Sequence, residues 1–126
     1  MPYPVSKARF ADLVQSAIAE LPEPFARLLE EIPIEIEDHP SQRLLRELGL
    51  QSNELLLGLY QGRPLNERSV EDSGRLPDRI VIFQKDIEEV CDSDSDLIRQ
   101  VRITVLHEIG HFFGMDEDDL DQLGYG

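Results

Sequence analysis

Apolar residues fall at Phe10, Leu13, Val14, Ala17, Ile18 and Leu21, a stripe at helical spacing that predicts a helix from Ser6 to Leu21, closed by Pro22. The run from Pro24 to Glu31 predicts a second, shorter helix with proline in its first turn. Ile32 to Glu37 alternates apolar and polar with period two and predicts a strand, placed at a sheet edge by Pro33. Arg43 to Leu48 adds a helical turn before Gly49, and Leu55 to Gln61 predicts a second strand ended by Gly62-Arg63-Pro64. Residues 66–79 are polar and turn-rich and predict a long surface loop. Arg79 to Gln84 is β-branched and aromatic, the clearest strand of the chain, and a short helix from Asp86 to Val90 follows it.

The longest periodic segment runs from about Asp96 to Phe113. Val101, Val105, Ile109 and Phe112 form one apolar stripe, and Ile103, Leu106, Gly110 and Phe113 form another. Gln100, Thr104, His107 and His111 occupy the remaining face. A helix apolar over most of its circumference is expected at the centre of a core. Gly110 costs such a helix about 1 kcal/mol against alanine, which predicts close approach by a neighbouring backbone or ring. Just upstream, Asp92-Ser93-Asp94-Ser95-Asp96 spaces acids as a calcium loop does. Leu97 stands where that loop needs glycine and Ile103 where it needs glutamate, so the segment reads instead as helix initiation with Ser93 as cap.

Composition narrows the class. A chain of 126 residues fits one domain spanning 1–126, with 40% hydrophobic and 30% charged residues as in soluble globular proteins. A net charge of −14 argues against nucleic acid or an anionic membrane as partner. No apolar run reaches membrane-spanning length, and the first ten residues lack the apolar core of a secretory signal. The single cysteine, Cys91, reads as a small apolar core residue, and the cytoplasm is the expected compartment.

The chemistry concentrates at His107-Glu108-Ile109-Gly110-His111. Positions four apart on a helix lie about 40° around the axis and about 6 Å along it, so both imidazoles leave one face and can share one metal ion, most often zinc. Glu108 lies about 100° round from His107, beside the metal, where it can accept a proton from water. The five-residue pattern arises by chance in roughly one chain of this length in a few hundred, so its surroundings carry weight. Gly114 supplies a helix stop three residues after His111, and Asp116, Glu117, Asp118 and Asp119 follow. Asp116, Glu117 and Asp118 are all candidates for a third ligand, and spacing favours Glu117. His39 before Pro40 reads as a solvated loop histidine, and nothing in the sequence positions Tyr125 for chemistry.

The stretch from His107 to Glu117 resembles the metzincin pattern H-E-x-x-H-x-x-G-x-x-H, with an acid in the last place. More specifically, it resembles the small bacterial minimal zincins, predicted zinc-dependent proteases with a matrix-metalloprotease-like domain. The resemblance extends to Leu57-Gly58-Leu59-Tyr60-Gln61-Gly62, to Leu76-Pro77-Asp78-Arg79-Ile80 and to the closing residues 120–125, and is loose over the first fifty residues. It implies an α+β, zincin-like fold with a small, mostly antiparallel sheet on a buried active-site helix, and residues 79–84 as the strand along which substrate pairs. It implies one zinc ion on His107, His111 and Glu117, with Glu108 as general base. Nine residues follow Glu117, where metzincins continue into a further subdomain, so one wall of the cleft is expected to be absent or supplied by a partner. The expected activity is hydrolysis of peptides or unfolded protein. The alternatives are a metal-binding or protein-interaction module of the same fold with little or no activity, and a hydrolase of RNA, which the acidic charge opposes.

Overall fold

The computed structural model describes residues 2–21, 23, 25–62 and 78–124. Most of the expected 66–79 loop, and Tyr125, lie outside the described residues. The chain builds α1 (Lys7–Ile18), α2 (Phe25–Leu28) running into a 3-10 turn (Leu29–Glu31), β1 (Ile34–Glu37), α3 (Gln42–Glu47), β2 (Gly58–Gln61), β3 (Arg79–Phe83), α4 (Gln84–Glu89), α5 (Asp94–Phe112) and α6 (Glu117–Leu123). None of its described helices is long and apolar enough to cross a membrane.

The three strands form one sheet in the order β1-β3-β2. β3 is central, which is why its sequence is a continuous apolar run: Ile80, Val81, Ile82 and Phe83 are all fully buried. β1 pairs with it in parallel, Ile34 opposite Ile80, and β2 pairs antiparallel, Gly58 opposite Ile82. The sheet is therefore mixed rather than mostly antiparallel. The cause is the long connection from β1, which passes through α3 and β2 before β3 enters beside it in the same direction. The central position of β3 also overturns its expected part in substrate pairing. Both its edges are occupied, so an added strand can pair only with β1 or β2.

α5 starts at Ser93, whose hydroxyl accepts from the Asp96 N–H, as helix initiation requires; Asp94 and Asp96 occupy the first turn. The Asp92–Asp96 run is thus a cap, and the Asp96 carboxylate itself accepts from the Asp92 N–H. The helix is in contact with β2, β3, α1 and α4. Val101, Val105, Ile109 and Phe112 are buried along it, and α1 contributes Phe10, Val14 and Ala17 to the same core. Full burial of side chains of this size stabilises by about 1.5–3 kcal/mol each, so this helix dominates the core. Cys91 belongs to that core, and burial, reinforced by nearby Asp96, pushes its thiol pKa up and keeps it inert.

Buried polar groups tie the periphery to α4. The Glu88 carboxylate accepts from the Val5 N–H at 3.1 Å and from Gln84 Nε2 at 2.9 Å, while Gln84 Nε2 also donates to the Val5 carbonyl. These bonds fasten the segment before α1 across the sheet end of α4. Asp86, also buried, accepts from the Leu56 N–H at 2.9 Å and contacts His39 Nδ1 at 2.6 Å. His39 is therefore a tie between the turn after β1 and the N-terminus of α4, not merely a solvated ring. We expect Asp86→Ala, which strands a backbone N–H and the imidazole, to lower unfolding free energy by about 1–3 kcal/mol in urea titrations.

Candidate active site

The site begins where α5 stops. The Gly114 N–H bonds to the His111 carbonyl and the Met115 N–H reaches back to the Gly110 carbonyl, both at 3.0 Å, with Gly114 in the left-handed region at φ 86°. This pair of bonds is the glycine-terminated helix end that satisfies the last carbonyls and reverses the chain. Asp116 then caps α6, accepting from the Asp119 N–H while the Asp119 carboxylate accepts from the Asp116 N–H. Glu117 becomes the first residue of α6. The turn between the helices is so short that Glu117 returns to the face carrying the imidazoles.

His107 Nε2 and His111 Nε2 lie 3.0 Å apart, and Glu117 Oε1 lies 3.4 Å from the first and 3.1 Å from the second. An ion bonded at about 2.0–2.1 Å to three corners of a tetrahedron sets its donors about 3.3–3.4 Å apart. The triangle thus has the size zinc requires, and two imidazoles with one carboxylate are a donor set suited to it. Of the three candidate acids, only Glu117 joins the imidazoles in one cluster among the described residues. Asp116 is committed to its cap. The imidazole side chains are 20% and 28% exposed and Glu117 is 67% exposed, so the triangle opens to solvent on the acid's side.

Glu108 points elsewhere on α5, into the seam with β2, and is buried. Burial raises its pKa above the ordinary 4.5, opposed by the positive potential of His107 and His111 and by a hydrogen bond from the Tyr60 backbone N–H, and assisted by Glu117. The seam is close because Gly58 has no side chain. A Cβ there would stand 2.8 Å from Thr104 Cγ2 and 3.1 Å from Glu108 Cγ. The Phe83 N–H donates to the Leu57 carbonyl, so Leu57, Leu59 and Gln61 form the hydrogen-bonded pairs with β3. Gly58 and Tyr60 consequently turn their backbone groups to the outer edge, where Glu108 meets Tyr60. Beside them opens a cavity of about 220 Å³ between Leu57 and Gly58 on one side and Ile103, Thr104 and His107 on the other.

The structure brings His107, His111 and Glu117 together and sets Glu108 alongside, as the spacing predicts. Sequence reasoning missed three participants. Gly58 carried a signal, since glycine inside a strand marks close approach of another group. The Tyr60 amide and Leu120 carried none: one acts through its backbone, and the other is an ordinary leucine in an acidic tail. Gly110 does answer a close approach, though its neighbour is the Leu120 side chain and not a backbone or ring.

An α+β domain whose central helix carries a His-Glu-x-x-His face over an edge strand has the architecture of the zincin class. The chain matches the zincin-like metallopeptidase family over residues 29–126, and it belongs to that family. Metalloprotease character and zinc binding are properties of the family at large. The fold is similar to that of a conserved hypothetical protein from Thermo thermophilus, with a TM-score of 0.55 and 26% identity over 94% of this chain and 97% of that one. No curated protein matches the chain.

Two outcomes follow for the metal-free protein. Ionised Glu108 is less welcome in the folded state than in the unfolded chain, so its raised pKa means stability is lost as pH rises from about 4.5 through the folded value. Glu108→Gln should therefore melt higher than the native chain at pH 7, with the gap closing toward pH 4. Gly58→Ala should destabilise the fold by about 1–3 kcal/mol and expose Glu108 by forcing α5 from β2, measurable as a lower melting temperature and a lowered carboxyl pKa.

Proposed function

We propose that this protein is a zinc-dependent peptidase acting on extended peptides or unfolded polypeptide, with His107, His111 and Glu117 as metal ligands and Glu108 as general base. The observation that carries the reading is the triangle of donor atoms, 3.0–3.4 Å on its sides, with the buried carboxylate of Glu108 next to His107 on the same helix. A zinc ion held there supplies Lewis acidity, lowering the pKa of water toward about 7 and polarising a carbonyl oxygen.

The chain's own groups do the rest. An extended substrate adds to the outer edge of β2, where Gly58 presents its N–H and C=O, and main-chain bonds hold it without regard to sequence. A substrate side chain beside the scissile bond enters the cavity between Leu57 and Ile103. Glu108 takes a proton from the attacking water as its oxygen adds to the carbonyl carbon, then passes that proton to the amine nitrogen as the C–N bond breaks. Seclusion beneath β2 makes Glu108 a stronger proton acceptor than an exposed glutamate, while the charge of zinc acts in the opposite sense. The Tyr60 N–H holds the carboxylate in place through the transfer. A net charge of −14 favours neutral or basic polypeptides over nucleic acid as substrates.

The test is metal analysis and turnover of a broad peptide library by the zinc-loaded native protein and by Glu108→Gln. We expect unchanged zinc content and a loss of about 10²–10⁴-fold in cleavage rate. Cleavage by the variant at the native rate would remove Glu108 from its role. Zinc bound by both proteins with cleavage by neither would leave a metal-binding or interaction module.

A further inference from the structure

α6 has seven residues, Glu117 to Leu123, and helices so short do not hold themselves together in water. Its residues 117–119, 121 and 122 are exposed, whereas Leu120 is completely buried. The Leu120 side chain rests on Gly110. A Cβ at Gly110 would stand 2.4 Å from Leu120 Cδ2, so the leucine methyl occupies the very space that glycine leaves vacant. Met115 Sδ closes the same notch, 3.5 Å from that Cβ position. Gly110 immediately precedes His111, and Leu120 lies three residues after Glu117, on the same face of α6. The notch and the acid are thus two points, among the described residues, at which α6 meets α5.

We propose that Leu120 and Gly110 are positioning residues for the metal centre: the leucine, seated in the glycine notch, fixes α6 so that Glu117 stands over His107 and His111 before any ion arrives. This rests on the reading of those three residues as ligands. With the leucine gone, Glu117 sits on a helix that has lost its buried anchor and keeps the glycine turn and the Asp116–Asp119 cap. Ordering of that helix then has to be drawn from the free energy of metal binding, which weakens it. The seat also accounts for Gly110 in the last turn of a buried helix, where alanine is otherwise favoured.

The experiment measures zinc affinity by competition with a chromophoric chelator, and the visible absorption of the cobalt(II)-loaded protein, for the native chain, Leu120→Ala, Leu120→Met, Gly110→Ala and Glu117→Ala. Leu120→Ala is expected to weaken zinc binding about 10–100-fold, the range typical of residues that orient ligands. Its cobalt spectrum is expected to approach that of Glu117→Ala, and Leu120→Met, close in volume, is expected to restore both readouts. Gly110→Ala is expected to weaken binding although alanine improves helix propensity, which separates positioning from loss of fold. In the Glu117→Ala background, Leu120→Ala is expected to add nothing. Native affinity in Leu120→Ala, or the same fold loss with Glu117 already removed, overturns the proposal. Failure of the native chain to bind zinc or cobalt overturns the ligand reading itself, and the anchor with it.

Discussion

Where Gly58 passes over Thr104 and Glu108, α5 and the sheet lie too close together for a side chain on the strand, and the geometry of the site follows from that approach. Because nothing projects from the strand at that point, helix and edge strand approach until the glutamate carboxylate reaches the Tyr60 amide. β2 is held at this height by its pairing with β3, and β3 by its burial between two neighbours. A helix held on several sides cannot rotate about its axis without breaking the packing of Val101, Val105, Ile109 and Phe112. Fixing that rotation fixes the directions of His107, Glu108 and His111 at once.

Two kinds of buried acid coexist in this core. Asp86 and Glu88 are surrounded by donors from the chain: the Leu56 and Val5 amides, His39 and Gln84. Their burial is compensated, and they staple loops to α4. Glu108 has one backbone donor and a half-dry seam, and its carboxyl pKa rises accordingly. The difference separates a carboxylate that secures the fold from one kept in an uncomfortable environment, the condition in which a carboxyl group readily exchanges protons.

Much of this was legible in the chain. The two stripes and polar face of α5, the Ser93 cap, the Gly114 stop and the return of Glu117 to the imidazoles all follow from local periodicity and spacing, which depend on few residues. The strands' existence was also legible, since Ile80 to Phe83 can be little else. Their order was not. The uninterrupted apolar run of β3 fits a central place, but which strands flank it, and in which direction, depends on pairing across a long connection that no local pattern encodes. The resemblance placed the substrate strand at 79–84, whereas the strand beside Glu108, at the sheet edge among the described residues, is 58–61. His39 illustrates a second limit: a histidine in a turn acquires a buried partner only through a residue 47 positions away.

The asymmetric exposure of the three candidate ligands bears on how an ion would come and go. The imidazoles are mostly covered and belong to a buried helix, while the carboxylate that would complete the set faces water. Exchange would therefore begin by detachment of one swinging oxygen, with the two nitrogens staying in place. Loading and unloading would proceed through that doorway without melting the core. Retention time and resting affinity would then be set by different groups, and a chelator of modest size would strip such a centre from a molecule that stays folded.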